Sequence, residues 1–198
     1  MDSRSYIRSQ IWQVVAAIPK EEKLAASKKV VMHLLQEKVF LKAQNIACYS
    51  AKDSEMPTQP IIEAIWTTNK NCYLPVMVIN NKTLQFAAYL RDDSLQQNSF
   101  LINEPLMIKQ SNLIDSQSLD LVIVPLRAFD ADGNRLGSGG GYYDRTFSFL
   151  NVNKSLKKPL LYGLGFSCQF VSQIEPKNTD VVLDAVITEE GVQKFSNR

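Results

Sequence analysis

Histidine occurs once in the 198 residues, at His33, and cysteine three times. A single imidazole, set inside "KKVVMHLLQEKV", argues against serine–histidine triads, histidine metal clusters and histidine acid–base chemistry. It is expected at the edge of a helix's apolar face. Cys48, Cys72 and Cys168 lie far apart, with neither CxxC spacing nor an even count. That argues against a disulfide framework or a zinc site. Each falls in or beside a strand-like run, where free cysteine behaves as a small buried hydrophobe. Charge of one sign is also missing: 22 basic residues face 20 acidic ones, for a net +2. A bulk nucleic-acid or membrane-surface binder is therefore not expected, and any anion site must be local. No apolar run approaches the roughly 18 residues of a membrane helix, and "MDSRSYIRSQIWQ" has no signal-peptide core. These absences lead to the expectation of a cytoplasmic protein; a monomer is expected as well.

The apolar share of 45% and charged share of 21% are ordinary globular values, and the length suits one well-packed domain. The apolar spacing predicts a helix over 3–17, with Ile7, Ile11, Val14 and Val15 on one side. A second runs from Pro19 to about Phe40, with Leu24, Val31, Leu34 and Leu35 as its stripe. "NIACYS", "NCYLPVMV", "TLQFAAYL", "LDLVIVP", "PLLYGLGF" and "LDAVIT" read as strands, and the third-last of these is apolar on consecutive positions, as in a strand buried on both faces. "MPTQPIIEAIWTTNK" reads as a helix entered through Thr58 and Pro60, with Trp66 in the core, and "GYYDRTFSFL" as another. Residues 91–120 are expected to be a long connection with little regular structure. Alternation of strands and helices implies a single α/β domain over residues 1–198, with a largely parallel central sheet flanked by helices.

Against this background one stretch stands out. "RLGSGGGYYDR", Arg135 to Arg145, holds four of the chain's eight glycines. Glycine permits positive φ and removes Cβ atoms that would keep a ligand away. A helix starting near Gly141 would aim free N–H groups into the loop. The combination suits phosphate, although it matches neither the Walker loop nor the dinucleotide fingerprint. Arg135 and Arg145, with Arg127 nearby, would supply forked donors, and Asp144 could ease the helix dipole or hold magnesium. A tight strand-to-helix turn with a capping acid is the alternative. Arg4 and Arg8 share a helical face, either as anion ligands or as a solvated basic surface. Glu55, in "YSAKDSEMPT", follows a strand end, where parallel sheets place ligand contacts, or is a surface loop acid. Asp180 and Asp184 precede the last strand and could equally be turn formers. "DADG" at 130–133 reads as a turn.

"PLRAFDADGNRLGSGGGYYDR" resembles the motif of the 5-formyltetrahydrofolate cyclo-ligase family, with every fixed position filled from Pro125 to Arg145. The basic-x-x-apolar-Arg start is filled by Arg4, Ile7 and Arg8, and "YSAKDSEMPT", "YLPV", "INEP" and "GLGFSCQF" have counterparts. Two positions depart: Thr179 stands where histidine is usual before Asp180, and Leu101 where glycine is expected. The resemblance implies ATP-driven cyclisation of 5-formyltetrahydrofolate to 5,10-methenyltetrahydrofolate, with release of ADP and phosphate. It implies ATP contacts from Arg4, Arg8 and the run Arg135, Leu136, Gly137, Ser138, Gly139, Gly140, Gly141, Tyr142 and Tyr143. Asp144 and Asp180 would hold Mg²⁺. Glu55 would bond the pterin, Ser50 line its pocket and Tyr142 pack on the folate. Arg135, Tyr143, Asp144 and Arg145 would be the catalytic groups. Other enzymes that use sheets of this type, sugar-phosphate isomerases and CoA-transferase-like proteins, are the alternative class, as is a non-catalytic folate- or nucleotide-binding module.

Overall fold

Continuous apolar runs become the middle of one sheet in the computed structural model, which describes residues 3–153, 155–156 and 158–196. Helices α1 (Ser3–Ala16) and α2 (Lys20–Leu34) and the short α3 (Lys38–Lys42) lead into strand β1 (Asn45–Ala47). Helix α4 (Gln59–Thr67) precedes a hairpin of β2 (Asn71–Val78) and β3 (Thr83–Ala88). Then come β4 (Leu95–Gln97), β5 (Asn103–Pro105), β6 (Leu113–Ile114), β7 (Leu121–Pro125), β8 (Ala128–Phe129) and β9 (Arg135–Leu136). Helices α5 (Tyr142–Thr146) and α6 (Phe149–Val152) are followed by β10 (Leu160–Leu164), β11 (Ala185–Thr188) and β12 (Gly191–Lys194).

The main sheet runs β12-β11-β10-β7-β1-β2-β3-β6. Its five middle strands, β11 to β2, pair in parallel, while β12, β3 and β6 add antiparallel edges. In β7, Leu121 and Ile123 face one layer with Val15, Val30, Leu34, Ile61 and Ile65 from α1, α2 and α4. Val122 and Val124 face the opposite layer with Phe147 and Leu150. All four β7 residues are fully buried, which explains the unbroken apolar pattern of a strand covered on both faces. The expected α/β fold with helices on both sides of a largely parallel sheet is observed.

The helix faces differ from the sequence expectation. α2 ends at Leu34, because Glu37 turns extended at φ −74° and ψ 122°, and α3 is separate. Its buried positions are Lys23, Ser27, Val30 and Leu34, whereas Leu24 and Leu35 are exposed. Two polar residues are inside because each finds a backbone oxygen there. In α1 the buried residues are Arg4 and Val15, and Val14 is exposed. Ile7 and Ile11 pack on Ala128, Leu136 and Ile174, so this helix lies against the β8–β9 hairpin.

The 91–120 connection is more ordered than expected. β4 and β5 pair as a second small sheet, with the Glu104 carboxylate accepting from Met77 N and Asn98 Nδ2 at 2.9 and 2.8 Å. Leu101 adopts φ +57°, the left-handed conformation for which glycine is favoured. Cys48 and Cys72 are buried as expected, but Cys168 is exposed because it sits in the 3₁₀ turn Ser167–Gln169 rather than in β10. Burial pushes the Cys48 thiol up to about 12, so it stays protonated. His33 is half-buried at the edge of α2, with Nε2 3.4 Å from Glu189 O.

Candidate active site

The parallel strands send their carboxyl ends to one edge of the sheet, where open α/β folds bind ligands. Ser50 follows β1 there, half-buried, and Arg127 follows β7. The β8–β9 hairpin extends this edge. Its "DADGN" turn is organised by Asp130, whose Oδ1 accepts from Asp132 N and Asn134 N. Oδ2 accepts from Asn134 Nδ2 and from Ile174 N. Strand β9 then delivers Arg135 and the fully buried Leu136 into the glycine bend.

The bend is open where it matters. Gly139 has φ +105°, and a Cβ there would meet nothing within 4 Å. Gly141 has φ +67°, and its missing Cβ would lie 2.9 Å from the Arg145 guanidinium; at Gly140 it would lie 3.0 Å from the Tyr142 ring. Arg145 and Tyr142 therefore close one side, packed together with the guanidinium 5.7 Å from the ring centroid. Arg145 also donates to Gly140 O and to Lys82 O. On the other side Arg8 Nε donates to Gly137 O at 2.8 Å. The helix expected after the glycines is two short pieces, α5 and α6, broken where Phe147 inserts fully into the core. A five-residue helix contributes little dipole, so the bend's polarity comes from its own N–H groups and the arginines.

Both aspartates expected at a metal are present here, each held by an arginine. Arg135 Nη2 donates to Asp144 Oδ1 at 2.8 Å with the guanidinium side chain 5% exposed. Its Nε has no hydrogen-bond partner among the described residues. Asp144 Oδ1 also accepts from Val181 N at 3.2 Å, which brings it to the residue next to Asp180. Asp180 Oδ2 accepts from Arg4 Nη1 at 2.6 Å and Lys177 N at 3.0 Å. Arg4 is buried at 8% exposure and also donates to Glu175 O, so it is not part of a solvated basic face. Asp184, by contrast, serves the sheet: its Oδ2 accepts from Leu161 N. Among the described residues no cluster of three or more histidine, cysteine or acidic side chains forms a cage. The two carboxylates nevertheless supply oxygen donors of the kind that suits Mg²⁺.

Glu55 stands on the adjoining loop. Its Oε2 accepts from Lys52 N at 2.9 Å, and burial raises its carboxyl above the usual glutamate range, against the opposing pull of Arg127 and Lys52. Tyr143 lies between the two halves of the site. Burial pushes its phenol well up, the acidic neighbours Cys48 and Glu55 add to this, and Arg135 opposes it. A phenol held neutral in this way is equipped to donate a hydrogen bond. Tyr49 is 4% exposed and its hydroxyl lacks a partner among the described residues.

Four further residues join the site: Arg127, Trp12, Lys23 and Ser27. Arg127 donates from Nη1 to Ser54 O and Oγ at 3.3 and 3.1 Å, and lines a hollow of about 300 Å³ with Arg8, Ser9, Trp12 and Ser138. Trp12 is one turn beyond Arg8 on α1, a spacing visible in the sequence. Lys23 and Ser27 touch the Glu55 loop from α2; nothing in their spacing marks them. A larger hollow of about 480 Å³ lies over β11, β12 and Phe170. It has no cationic side chain and gathers none of these residues.

Residues 1–189 match the model of the 5-formyltetrahydrofolate cyclo-ligase family. The 5-formyltetrahydrofolate cyclo-ligase of Haemophilus influenzae is 38% identical over 181 residues, covering 91% of this chain and 94% of that protein. That of Mus musculus is 27% identical, covering 93% and 92%. The solved 5,10-methenyltetrahydrofolate synthetase of Aquifex aeolicus superposes with a TM-score of 0.80 at 25% identity, over 98% of this chain and 94% of that one. The agreement of motif, fold and whole-chain similarity places this enzyme in the 5-formyltetrahydrofolate cyclo-ligase family.

Proposed function

We propose that the chain, as one catalytic domain over residues 1–198, uses ATP to cyclise 5-formyltetrahydrofolate to 5,10-methenyltetrahydrofolate as a cytoplasmic monomer. The observation that carries the nucleotide assignment is the open bend at Gly139, two residues beyond Gly137, whose carbonyl Arg8 bonds and beside which stands Arg135, paired with Asp144. A triphosphate needs close backbone approach and forked cations, and both are present there.

The chemical obstacle is the formyl oxygen, a poor leaving group that blocks ring closure. Attack of this oxygen on the γ-phosphorus forms an O–P bond and releases ADP. The second substrate nitrogen then attacks the formyl carbon, the C–O bond breaks, phosphate departs, and the nitrogen's proton is lost. Such transfer depends on positioning and charge neutralisation more than on acid–base groups, consistent with one remote histidine. In this reading Arg4, Arg8 and the bend from Arg135 through Tyr143 hold the nucleotide. Asp144 and Asp180 would hold Mg²⁺, which supplies charge neutralisation to the phosphates when bound. Glu55 accepts from the pterin, Ser50 lines its pocket and Tyr142 packs on the folate. Tyr143, neighbour to both Glu55 and Arg135, donates at the junction, with Arg145 fixing the bend through Gly140 O.

Mixing the purified protein with 5-formyltetrahydrofolate and Mg-ATP tests this directly. The near-ultraviolet absorbance of the methenyl product should rise with one ADP formed per product. Absence of both signals in a folded preparation overturns the proposal.

A further inference from the structure

Helix α2 buries two polar side chains that the reaction itself does not use. Lys23 is 8% exposed and Ser27 0%, and they sit one turn apart on the same face. A helix face that only packed would carry apolar residues here, since a buried ammonium or hydroxyl is costly unless partnered. Both partners lie on one loop. Lys23 Nζ donates to Asp53 O at 2.8 Å, and Ser27 Oγ donates to Pro57 O at 2.6 Å. Asp53 and Pro57 stand two residues before and two residues after Glu55.

The loop needs such external support. Residues 51–57 belong to no helix or strand, and the turn bond from Glu55 N to Lys52 O is local. Its base is closed by Ala51 N donating to Thr58 Oγ1 at 3.1 Å, and Arg127 holds Ser54 from the other side. Met56, next to Glu55, packs in the same core layer as Val30 and Leu34, and the two carbonyl bonds to α2 add a directional tie on each side of Glu55.

We propose that Lys23 and Ser27 are positioning residues for the substrate: from α2 they grip the loop on both sides of Glu55 and fix where its carboxylate meets the pterin. The inference rests on the reading of Glu55 as a substrate contact. Holding a binding group in its bound geometry before the ligand arrives removes an ordering cost from association. A displacement of about 1 Å at such a group can cost on the order of 100-fold.

The test uses the full chain and steady-state kinetics of Ser27→Ala, Lys23→Met and the pair, beside Glu55→Gln and each combination with it. The KM for 5-formyltetrahydrofolate should rise about 10- to 100-fold in the α2 variants, while the KM for ATP stays within about twofold. Lys23→Arg, which keeps a donor, should recover most of the loss. In the Glu55→Gln background the α2 substitutions should add little, because groups acting through one another are not additive. An unchanged folate KM, an equal rise in both KM values, or full additivity with Glu55→Gln overturns the inference. If Lys23→Met fails to fold, Ser27→Ala with the additivity measurement still decides. Failure of the underlying function would show differently, as a wild-type protein that forms no methenyl product.

Discussion

Two single residues carry opposite demands of charge. Asp144 neutralises Arg135, whose side chain is almost wholly buried, and in the proposed reaction it also faces the metal-bound phosphates. Asp144→Ala would leave that guanidinium unpaired, and breaking a buried pair costs about 3–5 kcal/mol. Asp144→Asn retains an oxygen for Arg135 Nη2 and for Val181 N, so it separates stability from chemistry. The Asn variant is expected to fold, with kcat lowered by about 100-fold or more, whereas the Ala variant should also melt earlier. A normal kcat in the Asn variant removes Asp144 from the metal role. Glu55 behaves in the opposite sense, because burial favours its neutral form. With its folded pKa above the unfolded value, the native state binds more protons in that window, so its ionisation lowers stability as pH rises through the folded pKa. In the proposed function the pterin bonds the ionised form, so folate binding should weaken on acidification from above the ordinary glutamate range. The folate KM of the wild type should therefore climb as pH falls through that window, while the Glu55→Gln profile stays flat. Parallel profiles for the two proteins would show that another group sets the dependence.

At the scale of elements, the glycine-rich bend and the helices α1 and α2 were legible, but the faces those helices bury were not. Four glycines with flanking arginines mark the bend by composition, and the backbone at Gly139 adopts the positive φ that glycine permits. Because a Cβ there meets no neighbour, the demand within the protein is for a positive φ alone, and in the proposed function the open space takes phosphate. Gly139→Ala should consequently leave the fold intact, strain the bend and raise the KM for ATP by about tenfold, with a smaller effect on folate. An equal rise in both KM values would argue that the bend shapes the whole site rather than a phosphate seat. The faces of α1 and α2 were misread because apolar periodicity is blind to buried polar residues that have found partners. Arg4, Lys23 and Ser27 are inside through bonds to Asp180, Asp53 and Pro57, all distant in sequence. Strands of two or three residues, such as β4 to β6, are shorter than a pattern can register, so the 91–120 connection looked structureless.

Across the whole molecule, the sheet was legible because doubly covered strands must be apolar throughout, and its largely parallel pairing follows from alternation with helices, whereas the order of its strands appears only in the fold. The edges β12 and β6 were not, since strands paired on one side carry mixed residues. The site is assembled from segments far apart in the chain: α1 gives Arg4 and Arg8, the β8–β9 hairpin gives Arg135, α5 gives Asp144, and the stretch before β11 gives Asp180. A nucleotide that engages all four ties them to one another, and it can do so only in the folded state. Its binding free energy must then appear as stability, about 2.7 kcal/mol at a ligand concentration 100 times Kd. For a chain of this size that corresponds to a Tm rise of about 5–11 °C. Mg-ATP should produce this shift, and ATP with a chelator should produce distinctly less, because Asp144 and Asp180 then confront the phosphates without a cation between them. An equal shift with chelator would remove both aspartates from the metal. No shift with either would mean that the four segments do not meet around a nucleotide.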